Sequence, residues 1–142
     1  MIYTLGYEKR NIKQFVDLLK EVDVSMLIDV RETAWSHKAD FCKNRFKSFL
    51  EKEGIEYVHV KELGNPKHPR NMDSKVDILD RYRKYLAETE SGIFPLLVLL
   101  EEARKHKRKV CLTCFEKENI ECHRSIITEH IKGYIKEKVI HL

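Results

Sequence analysis

A chain of 142 residues, 42% hydrophobic and 35% charged, carries apolar material for one ordinary core, is too short for two comfortable domains, and is not disordered in composition. Its formal charge of +4, from 27 basic against 23 acidic residues, permits an anionic partner without requiring one. The longest apolar run, Ile93–Leu100, falls well short of the roughly 20 residues a membrane-spanning helix needs. The opening MIYTLGY lacks the basic-then-apolar pattern of a secretory signal, so a cytoplasmic location and no membrane partner are expected. In that compartment the four cysteines (42, 111, 114 and 122) are expected as thiols, with metal binding or chemistry favoured over structural disulfides.

Taken in chain order, short apolar runs alternate with helically spaced ones. Ile2–Leu5 reads as a strand. Asn11–Glu21 reads as a helix capped by Asn11, with Ile12, Phe15, Val16, Leu18 and Leu19 on one stripe. A second strand, Met26–Val30, leads to a helix marked by Phe46, Phe49 and Leu50 that stops at Gly54. After a third strand, Tyr57–Val60, a helix opens at Asp73 or Ser74 and runs through Leu86; Gly92 and Pro95 separate it from one ending at His106. Lys109–Cys114 is the fourth strand, Ile120–Tyr134 the last helix and Val139–Leu142 the fifth strand. The pattern predicts a single three-layer α/β domain over residues 1–142, Rossmann-like, with a mainly parallel five-stranded sheet in the order 3-2-1-4-5. Ligands of such sheets bind beyond the carboxyl ends of the strands, here beside the reversal between the first and fourth.

Chemistry-bearing residues collect at that edge. Gly6 and Tyr7 follow the first strand, Asp29 and Arg31 the second, and Gly64 the third. The segment CLTCFEKENIECHRS (111 to 125) brings three cysteines, a histidine and an arginine. Along an extended strand Cys114 and Glu116 share a direction and Cys111 takes the other, as a buried packing residue. Cys122 beside His123 and Arg124 near a helix start has the surroundings that lower a thiol pKa. Arg124 suits an anion at the helix start, or a salt bridge to Glu116 or Asp29. Arg31 suits either a pair with Asp29 or an anionic ligand. Cys111, Cys114, Cys122 and His123 are zinc-ligand types. A Cys-x-x-Cys pair on a strand, however, points its thiols apart where zinc needs a tight knuckle, so no metal or cofactor is predicted and zinc stays an alternative.

These pieces resemble the family catalogued as domain of unknown function 488, on TLGY (4 to 7), LIDVR (27 to 31), ELGN (62 to 65), CFE (114 to 116) and CHRS (122 to 125). The resemblance implies a small α/β fold and a polar site of Gly6, Arg31, Cys114, Glu116, Cys122, His123 and Arg124, and implies no particular reaction. Two places depart from the family pattern: TAWSHKADF (33 to 41) stands where a Pro-x-Ser-Arg-like element is common, and Asn65 replaces a second glycine.

The basic segment RKHKRK (104 to 109) precedes the fourth strand and so belongs to the opposite end of the sheet. Lys38, Lys43 and Arg45, and Lys67 and Arg70 in NPKHPRN (65 to 71), rise at the carboxyl edge, with Trp35, Tyr7 and Phe41 as stacking surfaces or loop packing. The leading expectation is a protein that binds a phosphate-bearing small molecule or nucleic acid there, with Cys114, Glu116, Cys122 and His123 as candidate catalytic groups and Gly6, Tyr7, Arg31, Gly64 and Arg124 holding the ligand. The alternatives are a non-catalytic nucleic-acid-binding module contacting its ligand through Lys38, Lys43, Lys67 and Arg70, and a small zinc protein. Oligomeric state is not legible.

Overall fold

The computed structural model describes residues 1–64, 82–87, 92–114 and 123–142. Five strands, β1 (Ile2–Gly6), β2 (Val24–Asp29), β3 (Glu56–His59), β4 (Lys109–Cys114) and β5 (Val139–His141), form one sheet in which every pairing is parallel. The order is β3-β2-β4-β1-β5, which corrects the expected 3-2-1-4-5 at its centre. β4 lies between β2 and β1, and burial explains the place. Val110–Cys114 is buried throughout, as befits a strand flanked on both sides and covered on both faces, whereas half-buried β5 takes an edge. The β1-to-β2 crossover skips one position to admit it.

Helices α1 (Ile12–Glu21) and α2 (Lys43–Lys52) lie on one face of the sheet; there Phe15, Val16, Leu19, Phe46 and Leu50 pack with Tyr3, Leu5, Leu27 and Cys111. A helical stretch described over 82–87 (α3), with α4 (Ile93–Lys105) and α5 (His123–Ile131), covers the other; Tyr82, Ile93, Leu96, Leu100, Ile127 and Ile131 pack with Ile2, Met26, Ile28, Val110 and Leu112. Neighbouring strand residues thus feed opposite cores. Crossovers leaving in opposite directions land on opposite faces because both are right-handed. The connection from β1 crosses over β4 and that from β4 crosses over β1, so the neighbours whose connections diverge are β2 and β4, and the reversal expected between the first and fourth strands lies one position over.

Local signals act where they were read. Asn11 Oδ1 accepts from the Gln14 amide at 2.8 Å and Gln14 Oε1 accepts from the Asn11 amide at 2.9 Å, a reciprocal capping box. Gly54 terminates α2 with φ of +75°. The last helix ends at Ile131, short of the expected Tyr134; its expected start at Ile120, and that of α3 at Asp73 or Ser74, lie outside the described residues. No helix among the described residues is long and apolar enough to cross a membrane.

At the β5 edge the Thr4 hydroxyl and His141 Nδ1 lie 2.6 Å apart. Burial, then the positive charges of Arg124 and Lys132, hold His141 below its ordinary value of 6.5. The unfolded chain therefore takes up this proton first on acidification, so the stabilisation is complete above about pH 6.5 and is lost as pH falls below it. The thermal midpoint should drop between about pH 7 and about pH 5, and less so in His141→Gln. Superimposable pH profiles for the two proteins would exclude this contribution.

Candidate functional site at the carboxyl edge of the sheet

Backbone hydrogen bonds lace the strand ends together. Tyr7 N donates to Cys114 O at 3.2 Å, Val30 N to Thr113 O at 3.0 Å and Val60 N to Asp29 O at 3.0 Å. Beneath β2, Asp29 is fully buried and Arg31 6% exposed. Arg31 donates from its amide to Asp29 Oδ1 at 3.1 Å, from Nε to the same oxygen at 2.9 Å, and from Nη2 to Oδ2 at 2.6 Å; Nη1 reaches Phe41 O at 2.8 Å and Tyr7 Oη at 3.3 Å. Tyr57 Oη completes the carboxylate at 2.5 Å, and burial together with Asp29 pushes its phenol upward. Burial acts to lower the Arg31 pKa, and the bonds and charge of Asp29 outweigh it, leaving the guanidinium more firmly protonated. Of the two roles open to Arg31 from sequence, the mutual pair is the one formed.

Tyr7 and Phe41 stack on each other with centroids 4.4 Å apart, and both are buried, so these rings pack the 32–42 loop onto the domain. Lys38 Nζ donates to the carbonyls of Tyr7 at 3.2 Å and Arg10 at 2.8 Å, while Arg10 Nη1 caps Gly6 O at 2.9 Å. Lys38 therefore serves the turn after β1, whatever else it contacts. Trp35 stands out from this ordered loop, 57% exposed, with His37 edge-on at 4.6 Å. The loop is closed beneath it by Lys43 N to Ala34 O at 2.9 Å and by Cys42 Sγ to Ser36 O at 3.3 Å; the Lys43 side chain is exposed.

The opposite wall starts at α5. His123 Nε2 lies 2.8 Å from Val30 O, and His59 Nε2 lies 2.5 Å from Arg31 O. A carbonyl only accepts, so in both rings Nε2 carries the proton and, in the neutral form, Nδ1 keeps a lone pair. His59 is a member that sequence reasoning missed; as the last residue of β3 it was available to any survey of strand ends. The His123 ring meets Tyr82 edge-on at 5.0 Å, and Tyr82 Oη donates to Leu63 O. Arg124, at 1% exposure, is the largest fully buried side chain among the described residues, and its charge is felt by both Cys111 and His141.

A Cβ on Gly64 would overlap the backbone of Glu32, so this glycine lets the 3-10 turn Lys61–Leu63 close against the end of β2. Burial pushes the Cys111 thiol up to about 12, with Arg124 acting the other way. Cys114, on the opposite face of β4, is disulfide-bonded, which corrects the expectation that all four cysteines are thiols. Among the described residues no group of three or more His, Cys, Asp or Glu side chains is placed to hold a metal ion. Glu116, Cys122, Lys67 and Arg70 lie outside the described residues. At the amino end of the sheet the basic segment is engaged locally: Arg104 with Glu101, and Arg108 with Glu56 and Ser25.

The family model for Domain of unknown function DUF488 matches residues 11–131. The chain belongs to the DUF488 family. Among the curated proteins none matches it. Among solved structures it is similar to one from Shewanella putrefaciens CN-32 described as "Putative phosphatase (DUF442)", at 15% identity and a TM-score of 0.45, covering 94% of this chain and 68% of that one. Likeness of that degree carries nothing about the chemistry of the present site.

In this DUF488 protein the segments that carry the family pattern meet at one edge. TLGY is the end of β1 and the turn that Lys38 holds, LIDVR is β2 running into the Asp29–Arg31 pair, and Gly64 of ELGN seats against Glu32. Cys114 closes β4 while His123 and Arg124 open α5. The departing segment TAWSHKADF supplies Trp35, Lys38 and Phe41, of which Lys38 and Phe41 do the loop packing just described.

Proposed function

We propose that this DUF488 protein binds a phosphate-bearing ligand, a nucleotide or nucleic acid, at the carboxyl edge of the sheet. The observation that supports it most is Arg124. A guanidinium buried in the first turn of α5, beside the strand reversal, creates a positive field in low-dielectric surroundings that reaches Cys111 and His141. His123, one residue earlier, donates its Nε2 proton to Val30 O and is a candidate acid or base at this edge. Glu116, Cys114 and Cys122 are further candidates for that chemistry, Cys114 only once its disulfide is reduced.

Thermal denaturation with inorganic phosphate, pyrophosphate, nucleoside mono- to triphosphates and short single-stranded oligonucleotides tests the reading. A ligand present at about 100 times its Kd should stabilise the protein by about 2.7 kcal/mol. Arg124→Lys keeps the charge but loses the planar fork, and should fold while binding about tenfold more weakly. No stabilisation by any of these ligands would refute the proposal. A second reading, a non-catalytic nucleic-acid-binding module, is favoured by exposed Trp35 next to Lys43, with Lys67 and Arg70 as further contacts. Trp35 is the chain's one tryptophan, so oligonucleotide titrations followed by its fluorescence report on this surface directly. That reading requires affinity to fall steeply with salt, by about 0.7 log units per contacted phosphate per log unit of salt.

A further inference from the structure

At the amino end of the sheet, positive charge outweighs negative around β4, β1 and β5. Ile2 pairs with Val110 on one side and Val139 on the other, so Lys109, Met1 and Lys138 stand in a row across three neighbouring strands. Strand spacing sets the two lysines about 10 Å apart. Lys107 and Lys136 each stand two residues ahead of one of them; Lys109 is half-buried and the other three are exposed. Every carboxylate touching these segments already has a partner: Glu56 holds Arg108 at 2.8 Å, Glu101 Arg104 at 2.5 Å, Glu102 His106 at 3.4 Å and Glu137 the Met1 amine at 2.9 Å. Lys107, Lys109, Lys136 and Lys138 make no ion pair with any of the described residues. Of the other carboxylates toward this end, Glu53 pairs with Lys20 and Glu51 with Lys47, while Glu21 and Asp23 stand at the turn into β2, across β4 from β1 and β5. The macrodipole of α4 does not account for the four lysines. Arg104 and Lys105 occupy its last turn, the amides of His106, Lys107 and Arg108 bond its last carbonyls, and its field falls off within that turn.

Beside this row a cavity of about 360 Å³ opens between the end of α4 and the segment leading into β5. Leu100 and Ile135 give it apolar walls, Tyr134, 57% exposed, an aromatic ring, and Arg104 and Lys136 a cationic rim. Glu137 joins cavity and row, since it holds the Met1 amine and its charge is felt by Arg104. We propose that this surface binds single-stranded nucleic acid, with a base entering the cavity against Tyr134 and phosphates passing along Lys107, Lys109, Lys136 and Lys138. Lysines without carboxylates suit phosphate, and an aromatic ring among them is a stacking platform for any base. The recess decides among polyanions. An anionic bilayer is met by apolar side chains that protrude, whereas a hollow lined by a ring admits a flat base. A duplex keeps its bases stacked and offers none to the hollow. The site lies at the opposite end of the sheet from the carboxyl edge and does not depend on the ligand proposed there.

Fluorescence anisotropy of a short dye-labelled single-stranded RNA, titrated with the full chain at several salt concentrations, tests the assignment. Four contacted phosphates give a slope of about −2.8 in log affinity against log salt, a loss of about 50-fold between about 50 and about 200 mM. Lys109→Gln with Lys138→Gln should halve that slope, whereas Lys13→Gln with Lys47→Gln, the same change of net charge elsewhere, should leave it. Should the first pair misfold, Lys107→Gln with Lys136→Gln, at two exposed positions, makes the same test. Tyr134→Ala should weaken binding at least about fivefold at unchanged slope. Absence of binding at about 50 mM salt overturns the proposal, as does binding that ignores the amino-end lysines or is lost instead with Trp35→Ala. Binding that Tyr134→Ala leaves intact, or equal affinity for duplex RNA or for phosphatidylserine vesicles, overturns the single-strand assignment.

Discussion

Asp29→Ala is expected to destabilise the fold by about 3–5 kcal/mol, because it strands the Arg31 guanidinium in the interior without its carboxylate. Asp29 is fully buried, takes hydrogen bonds from the Arg31 amide, Nε and Nη2 and receives the Tyr57 hydroxyl. Removing it leaves all these donors unmet in a low-dielectric layer between β2, β3 and the 32–42 loop. Deleting both charges is less harmful than deleting one, since the desolvation of each ion disappears with it. The double variant Asp29→Asn, Arg31→Gln should therefore lose less than the sum of the single variants, by more than about 1 kcal/mol of coupling, as measured by urea denaturation. Strict additivity would mean that the pair is not coupled and that Arg31 has another role at this edge.

Gly64→Ala is the second large effect, about 3 kcal/mol. The added methyl would overlap the amide nitrogen and Cα of Glu32, backbone atoms that cannot swing aside as a flexible side chain does. Gly54→Ala is the control: Gly54 has φ of +75° but nothing within 4 Å of where a Cβ would stand, so only the left-handed conformation opposes alanine, at about 1 kcal/mol. Because Glu32 follows Arg31, Gly64→Ala should also disturb the ligand binding proposed for the carboxyl edge, whereas Gly54→Ala should not. Equal losses for the two glycines would show that the approach of the 3-10 turn to β2 is not tight.

Much of the architecture was legible in residue order because its signals are local. The period-two and helical runs, the Asn11 cap and the Gly54 stop each act within a few residues, and all five strands lie within a residue or two of where apolar patterning put them. The family pieces were legible for a related reason: TLGY, LIDVR and the HRS of CHRS each sit at the end of a strand or the start of a helix, where short motifs have defined geometry. The site's internal assignments were not. Whether Arg31 faces a ligand or Asp29 depends on Phe41 and Tyr7 closing over it from other segments. His59 joins the edge only because β3 lies beside β2, and Cys114 enters a disulfide where a thiol was expected.

The strand order shows the same division. Alternating strand and helix, parallel sheet and crossovers on both faces all follow from chain-local periodicity and the handedness of the connections. The place of β4 between β2 and β1 does not, because a strand's neighbours are chosen by burial of both its faces and both its edges, a comparison among all the strands at once. Residue order therefore sets which elements form and which residues stand at each end of the sheet. Packing over long sequence separations sets which side chains there meet one another.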